Sequence, residues 1–262
     1  MSDANMGAGE MGGGPDMPTT VTGALTGTWL LVHSQSTCVL NREQMATTDY
    51  LVEITQEGSL LRERRRICAV NLTPLLGTSV AIPAATREAV TFEEVDRGFV
   101  SKVGVGGGYT SATELNLWGL ALESPATDML PREADDAKVV DADGDGNPGV
   151  TFLISDGECE RYAAQRQIIR YHGSLTTPTQ IDGGSVGLTE AVVFGATRSL
   201  CRIAPPIEPN DAHSLFRMVR VDGQGGGLNA DEDGDGKISC AEVAALAPMV
   251  LERREADDRR CR

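Results

Sequence analysis

The segment Asp231-Glu232-Asp233-Gly234-Asp235-Gly236-Lys237-Ile238-Ser239-Cys240-Ala241-Glu242 carries acidic side chains at its first, third, fifth and twelfth residues. Alternate carboxylates on so short a run converge only if the chain turns sharply after them, and Gly236 permits that turn. Asp231, Asp233 and Asp235, with Glu242 returning to close the set, offer the hard oxygen donors that Ca2+ takes six to eight at a time. Ninety residues earlier, Asp141-Ala142-Asp143-Gly144-Asp145-Gly146-Asn147-Pro148-Gly149-Val150-Thr151-Phe152 repeats the first half of the pattern. Here the twelfth residue is Phe152 and a β-rich run follows. Asn147 would present its carbonyl, and the remaining donors would come from Asp135, Asp136, Asp156 or Glu158. A polar hairpin turn built on Pro148 and Gly149 is the alternative reading.

The 231–242 segment resembles an EF-hand loop, with glycine at its sixth position and the aliphatic Ile238 at its eighth. The resemblance implies Asp231, Asp233 and Asp235 as carboxylate ligands and Lys237 as a backbone carbonyl ligand. It also implies Ser239 as a hydroxyl or water-bridged ligand and Glu242 as a bidentate one. An exiting helix begins near Ala241 and meets Pro248, which interrupts or restarts it. An entering helix is missing, because Gly223, Gly225, Gly226 and Gly227 occupy its place. The segment is therefore more similar to the loop-plus-helix calcium modules of secreted bacterial proteins, dockerin-like and excalibur-like. With no helix pair to open, that likeness implies a structural ion and not a sensor. The 141–152 segment resembles the Asp-rich loops that link strands in thrombospondin-type and other extracellular repeats. One Ca2+ is expected at 231–242, with Asp141, Asp143, Asp145 and Asn147 as a candidate second site.

Chemistry beyond metal binding has weaker support. Gly183-Gly184-Ser185-Val186-Gly187 satisfies the GxSxG pattern of a hydrolase nucleophile, but the pattern needs a strand before it and a helix after it. The sequence reads instead as a turn over 176–182 followed by a strand. His172 and His213 are the available bases for Ser185; His33 and His172 read as satisfied structural histidines within strands. The run Gly104, Gly106, Gly107 and Gly108 lacks the lysine and hydroxyl residue of a phosphate loop and reads as a connection. Arg62, Arg64, Arg65 and Arg66 form a compact basic cluster, and strand alternation places Arg65 on the face opposite Arg64 and Arg66. A solvated edge strand is the plain reading of that cluster; an anionic partner is the sharper one. No residue is assigned a catalytic role.

The elements that must position these residues are mainly β. Short alternating apolar runs broken by glycine, proline and aspartate predict strands at 27–40, 50–56, 60–71, 89–95, 99–105, 113–122, 150–154, 160–171, 188–194 and 215–221. The 160–171 run would also suit a helix. Helix is otherwise expected only after Ser239. Ten strands with short connections predict an antiparallel barrel or a sandwich, either of which protects the sheet edges. Gly27-Thr28-Trp29 in the first strand resembles the opening strand of lipocalin-like barrels, which implies a tryptophan across a closed end; an ordinary core tryptophan is the alternative. The expected organisation is a flexible leader at 1–22, an antiparallel β domain at 23–222 with an inserted Asp-rich loop at 135–149, and a calcium loop with a C-terminal helix at 223–262.

Six widely spaced cysteines without a CxxC pair point to disulfides in an oxidising compartment. Nearest-neighbour pairing is the default, with Cys240 joined to Cys261 across a bend at Pro248. Asn71-Leu72-Thr73 fits a glycosylation acceptor. The net charge of −15, from 38 acidic and 23 basic residues, is the wrong sign for a nucleic-acid surface. No window is long and apolar enough for a spanning helix. The sequence thus predicts a secreted, periplasmic or cell-surface calcium-binding β protein that binds a small apolar ligand or a surface partner. Its signal sequence is absent from this chain, and a lipid anchor in a precursor is an open expectation. A calcium-stabilised hydrolase and a structural or adhesive protein are the alternatives.

Overall fold

The computed structural model describes residues 23–92 and 96–262, so the expected leader at 1–22 lies outside the described residues. Three long strands open the fold: β1 (Gly27–Val39), β2 (Arg42–Glu57) and β3 (Leu60–Leu72). Short elements follow, namely β4 (Val80–Ala81), the helix α1 (Ala84–Glu88), β5 (Thr91–Phe92), β6 (Asp96–Val100), β7 (Gly108–Ser111), β8 (Glu114–Trp118) and β9 (Val150–Ile154). The longest hairpin is β10 (Cys159–Thr177) with β11 (Gln180–Ala196), after which come β12 (Glu208–Pro209), β13 (Leu215–Arg220) and the helix α2 (Cys240–Val250).

All the strand pairs are antiparallel. They run in the order β11, β13, β1, β2, β3, β6, β7, β10, and β10 pairs again with β11, so the path returns to its start and the sheet is ring-like. A sheet that meets itself gives each of those eight strands a partner on both sides over part of its length, the edge protection anticipated for a barrel or a sandwich. Residues 160–171 settle as strand because alternate residues serve two faces: Ile169 and Tyr171 are buried inward while Arg170 is exposed. The turn expected over 176–182 contracts to Pro178-Thr179, since β10 and β11 extend through the rest of it, and Gly183, Gly184 and Ser185 therefore lie in β11. The strand expected at 89–95 is reduced to β5, preceded by the unexpected α1, and its last residues, 93–95, lie outside the described residues. The strand expected at 113–122 stops at Trp118. Gly119 follows at φ 65°, where a Cβ would stand 2.4 Å from the Gly149 Cα, so only glycine fits this approach.

The ring is filled. Trp29, Leu31, Tyr50, Leu61, Tyr109, Ile169, Tyr171, Phe216 and Met218 all point inward and are buried. Trp29 is fully enclosed, and its indole N–H donates to the Leu25 carbonyl at 3.0 Å. A second core lies outside the ring, where Leu30, Val32, Leu51, Val219 and Val221 meet Ala230, Val243, Ala247 and Val250. The unbroken apolar run Trp29-Leu30-Leu31-Val32 reflects this two-sided burial.

Three disulfides, Cys38–Cys261, Cys68–Cys240 and Cys159–Cys201, use every cysteine. The expected Cys240–Cys261 bond is not formed. α2 runs through Pro248 to Val250, and each of the two cysteines reaches a strand of the ring instead. Cys159–Cys201 is the one nearest-neighbour pair that holds. β6 pairs with β3 only over 60–63, so Arg62 lies between two strands while Arg64, Arg65 and Arg66 pair with β2; Arg65 points inward and Arg64 and Arg66 outward, as alternation requires. The Asn71 amide nitrogen is shielded from solvent, which argues against a glycan at that position.

Candidate functional site

The two aspartate-rich segments fold alike. In each, three carboxylates bring one oxygen apiece within 4.8 Å of one another: Asp141, Asp143 and Asp145 in the first, Asp231, Asp233 and Asp235 in the second. Glycines at the fourth and sixth positions take left-handed backbone in both, with φ of 73° and 87° at Gly144 and Gly146 and of 72° and 79° at Gly234 and Gly236. The first aspartate accepts the N–H of the sixth residue, at 2.9 Å from Gly146 to Asp141 and 3.0 Å from Gly236 to Asp231. The fifth aspartate accepts the N–H of the seventh, at 2.8 Å from Asn147 to Asp145 and 2.7 Å from Lys237 to Asp235. These bonds hold the turn and aim the carboxylates at a common point.

In the first loop, α1 and β9 supply the anchors. Thr86 Oγ1 lies 2.8 Å from Asp143 Oδ2 and 2.9 Å from the Thr151 carbonyl, so its single proton is shared between these two acceptors. The Thr151 N–H donates to Asp143 Oδ2 at 2.8 Å, and its hydroxyl donates to Asp145. The other oxygen of Asp143 is shielded from solvent and has no hydrogen-bond partner. Asp135, Asp136, Asp156 and Glu158 do not join this group. Asp136 accepts from the Lys138 N–H, Asp156 bonds Ser79, and Glu158 lies 4.0 Å from Arg198. The loop is held instead by Thr86 and Thr151, and no signal in the spacing marked Thr86, 57 residues from Asp143, as its support.

The second loop also leaves one oxygen of its first aspartate, Asp231 Oδ1, shielded and without a partner. Its twelfth residue is engaged at the start of α2. Glu242 accepts from the Ser239 N–H at 2.7 Å, the Ser239 hydroxyl at 2.8 Å and the Glu232 N–H at 3.0 Å, and it is not grouped with the three aspartates. Ser239 in turn caps α2 by accepting the Glu242 N–H, so the two residues form a reciprocal capping box. The spacing Ser239-x-x-Glu242 was itself a legible capping signal. Ile238 packs against the outer core beside α2.

Ser185 does meet a histidine, though neither of the two expected. His33 Nε2 on β1 lies 2.7 Å from Ser185 Oγ on β11, over the intervening β13, and its Nδ1 is 3.4 Å from the Tyr171 hydroxyl. Both residues are buried. Burial, aided by the charge of Arg65, pulls the His33 imidazole down to about 3, so it is neutral and a poor proton acceptor at ordinary pH. Beside it stands a buried charge network in which Arg65 pairs with both Glu63 and Glu114, and the Tyr109 hydroxyl donates to Glu63 at 2.9 Å. The Arg65 guanidinium also sits 4.7 Å from the Tyr171 ring centroid. Arg65, Glu63, Tyr109 and Tyr171 all lie inside the ring, so its filling is polar as well as apolar. Comparison with protein-family models, with curated proteins and with solved structures finds no match to this chain.

Proposed function

We propose that the protein is a calcium-binding β module of an oxidising, extracytoplasmic compartment, in which the ion is structural and the outer surface of the ring meets a partner. The observation that carries this reading is the shared geometry of the two loops: each gathers three carboxylates and leaves one shielded oxygen, on Asp143 and on Asp231, unpaired. A shielded carboxylate oxygen with no donor is unfavourable, and a hard divalent cation is the partner that such an all-oxygen set fits. Asp231, Asp233 and Asp235, with the Lys237 carbonyl, would hold one ion; Asp141, Asp143 and Asp145, with the Asn147 carbonyl, would hold another. Three disulfides support the compartment. The large side chains and ion pairs that fill the ring favour a surface partner over an apolar ligand carried inside.

Calorimetric titration of the full chain with Ca2+ tests the reading. Two saturable events are expected, one abolished by Asp143→Asn with Asp145→Asn and the other by Asp233→Asn with Asp235→Asn. Absence of calcium-dependent heat and of any calcium-dependent rise in melting temperature would overturn it.

A further inference from the structure

Thr86 is the one buried residue of α1, a five-residue helix whose Ala84 and Ala85 are exposed. Helices are held in a fold mainly by an apolar face, and this one has none, so a hydroxyl does the holding. α1 packs beside β3 and β9. β6 leaves β3 beyond Glu63, and Ile67, past that point, shares the inner core with Val90, which follows α1. The two donors that reach Asp143 from other elements, the Thr86 hydroxyl and the Thr151 N–H, each at 2.8 Å, meet the same oxygen, Oδ2. Oδ1 is shielded and receives no hydrogen bond. The carboxylate is thereby fixed with one oxygen committed and the other left for an ion, beside Asp141 and Asp145. The 231–242 loop has no such support. Its aspartates accept from N–H groups of the loop itself, Gly236 to Asp231, Asp235 to Asp233 and Lys237 to Asp235.

We propose that Thr86 is a positioning residue for the cation of the 141–147 loop, and that the bound ion, by holding Asp143 in place, holds α1 against the ring. The proposal rests on the calcium reading above and extends it to an element 57 residues from the loop. Of the two acceptors open to the Thr86 proton, the ionised carboxylate is the stronger. A donor that fixes a ligand before the ion arrives removes part of the ordering cost of binding. By linkage the two effects are one free energy: the factor by which a docked α1 raises calcium affinity is the factor by which calcium favours the docked α1.

The test is calorimetric calcium titration of the full chain carrying Asp233→Asn and Asp235→Asn, so that the first loop alone is read. Adding Thr86→Val should weaken calcium binding about tenfold, the worth of one hydrogen bond to a charged group. Thr86→Ser, which keeps the hydroxyl, should restore most of that affinity. Hydrogen exchange of the unaltered protein should be slower at residues 84–90 in calcium than in chelator, and Thr86→Val should abolish the difference. A structural role alone would lower the melting temperature in Thr86→Val and leave calcium affinity unchanged; that result overturns the positioning and leaves the calcium reading standing. Exchange at 84–90 that is indifferent to calcium overturns the docking of α1, and this measurement needs no variant, so it decides the matter even where Thr86→Val does not fold. No calcium uptake by the first loop overturns this inference together with the calcium reading there.

Discussion

Cys240, the first residue of α2, is bonded to Cys68 on the outer face of β3, with their Cα atoms 4.9 Å apart. The bond enters the aspartate loop two residues before Glu242, so the loop is tied covalently to the wall of the ring. Cys38–Cys261 ties down the end of the same segment. A ligand of the loop is thereby a ligand of the whole fold.

Calcium at a hundred times its dissociation constant should then add about 2.7 kcal/mol per site to one cooperative transition. Replacing Cys68 and Cys240 together by serine should remove about 2–5 kcal/mol and reduce the calcium-induced rise in melting temperature, because the segment can now melt apart from the ring. Differential scanning calorimetry with and without chelator reads both effects. An unchanged calcium shift in the double variant would show that the disulfide does not carry the coupling.

Glu242 is given two tasks by its contacts, closing the loop and capping α2, and two substitutions separate them. Glu242→Gln preserves the capping box with Ser239. If the carboxylate also turns to the ion, this change should weaken calcium binding at least tenfold with little loss of helix in chelator. Glu242→Ala should in addition weaken the cap by about 1 kcal/mol. Circular dichroism beside calcium titration distinguishes them, and calcium affinity unaffected by Glu242→Gln would confine Glu242 to the cap.

Asp49 lies on the outer face of β2, buried, with neither carboxylate oxygen hydrogen-bonded. Burial raises it to about 6, opposed by the charge of Arg253, the cation that faces it. A raised carboxylate makes no difference below the unfolded value near 3.8, where both states are protonated. As pH rises toward 6, the unfolded chain ionises first, so this group's contribution to stability falls by up to about 3 kcal/mol and then levels off. Asp49→Asn should therefore stabilise the protein at pH 7.5 and have little effect at pH 4. Denaturant titrations at the two pH values decide it; equal effects at both would mean that Asp49 is ionised without penalty.

Ser185→Ala removes one buried hydrogen bond and leaves His33 short of a partner, a loss of about 1–3 kcal/mol. The pair is enclosed and His33 is a weak base, so ester turnover should be no higher in the unaltered protein than in the variant. A chromogenic ester hydrolysed only when Ser185 is present would reverse that assignment.

The pattern of alternation made most strands readable, and the position of Arg65 opposite Arg64 and Arg66 followed from it directly. The aspartate spacing likewise carried the convergence of both triads, because short loops are governed by local turn chemistry. What escaped was non-local. The strand boundaries at β2 and β11 run past the apolar runs, since the added lengths carry buried polar residues such as Glu43, Thr47 and Ser185, which alternation of apolar against polar cannot mark. Disulfide partners 172 and 223 residues apart could not be found by preferring short loops. Thr86 and His33 lay in unremarkable surroundings, and only tertiary packing, over 57 and 152 residues of chain, brought them to Asp143 and Ser185.

Arg65 provides the sharpest test of that closed interior. It is one buried cation between the carboxylates of Glu63 and Glu114, with Asn116 Nδ2 donating to Glu114 Oε1 at 2.7 Å. Burial works against its charge, yet Glu114 and Glu63 together hold it protonated, well above the ordinary arginine value. Arg65→Met should leave two buried carboxylates facing each other without a cation and destabilise the protein by about 3–5 kcal/mol. Adding Glu63→Gln and Glu114→Gln to Arg65→Met removes the stranded charges and should recover most of that loss, since a buried ion network is often worth little more than a neutral replacement of similar shape. Urea unfolding of the single and triple variants measures both steps. A triple variant as unstable as the single one would show that the network contributes through its specific hydrogen bonds, including that of Tyr109, and not through the balance of buried charge.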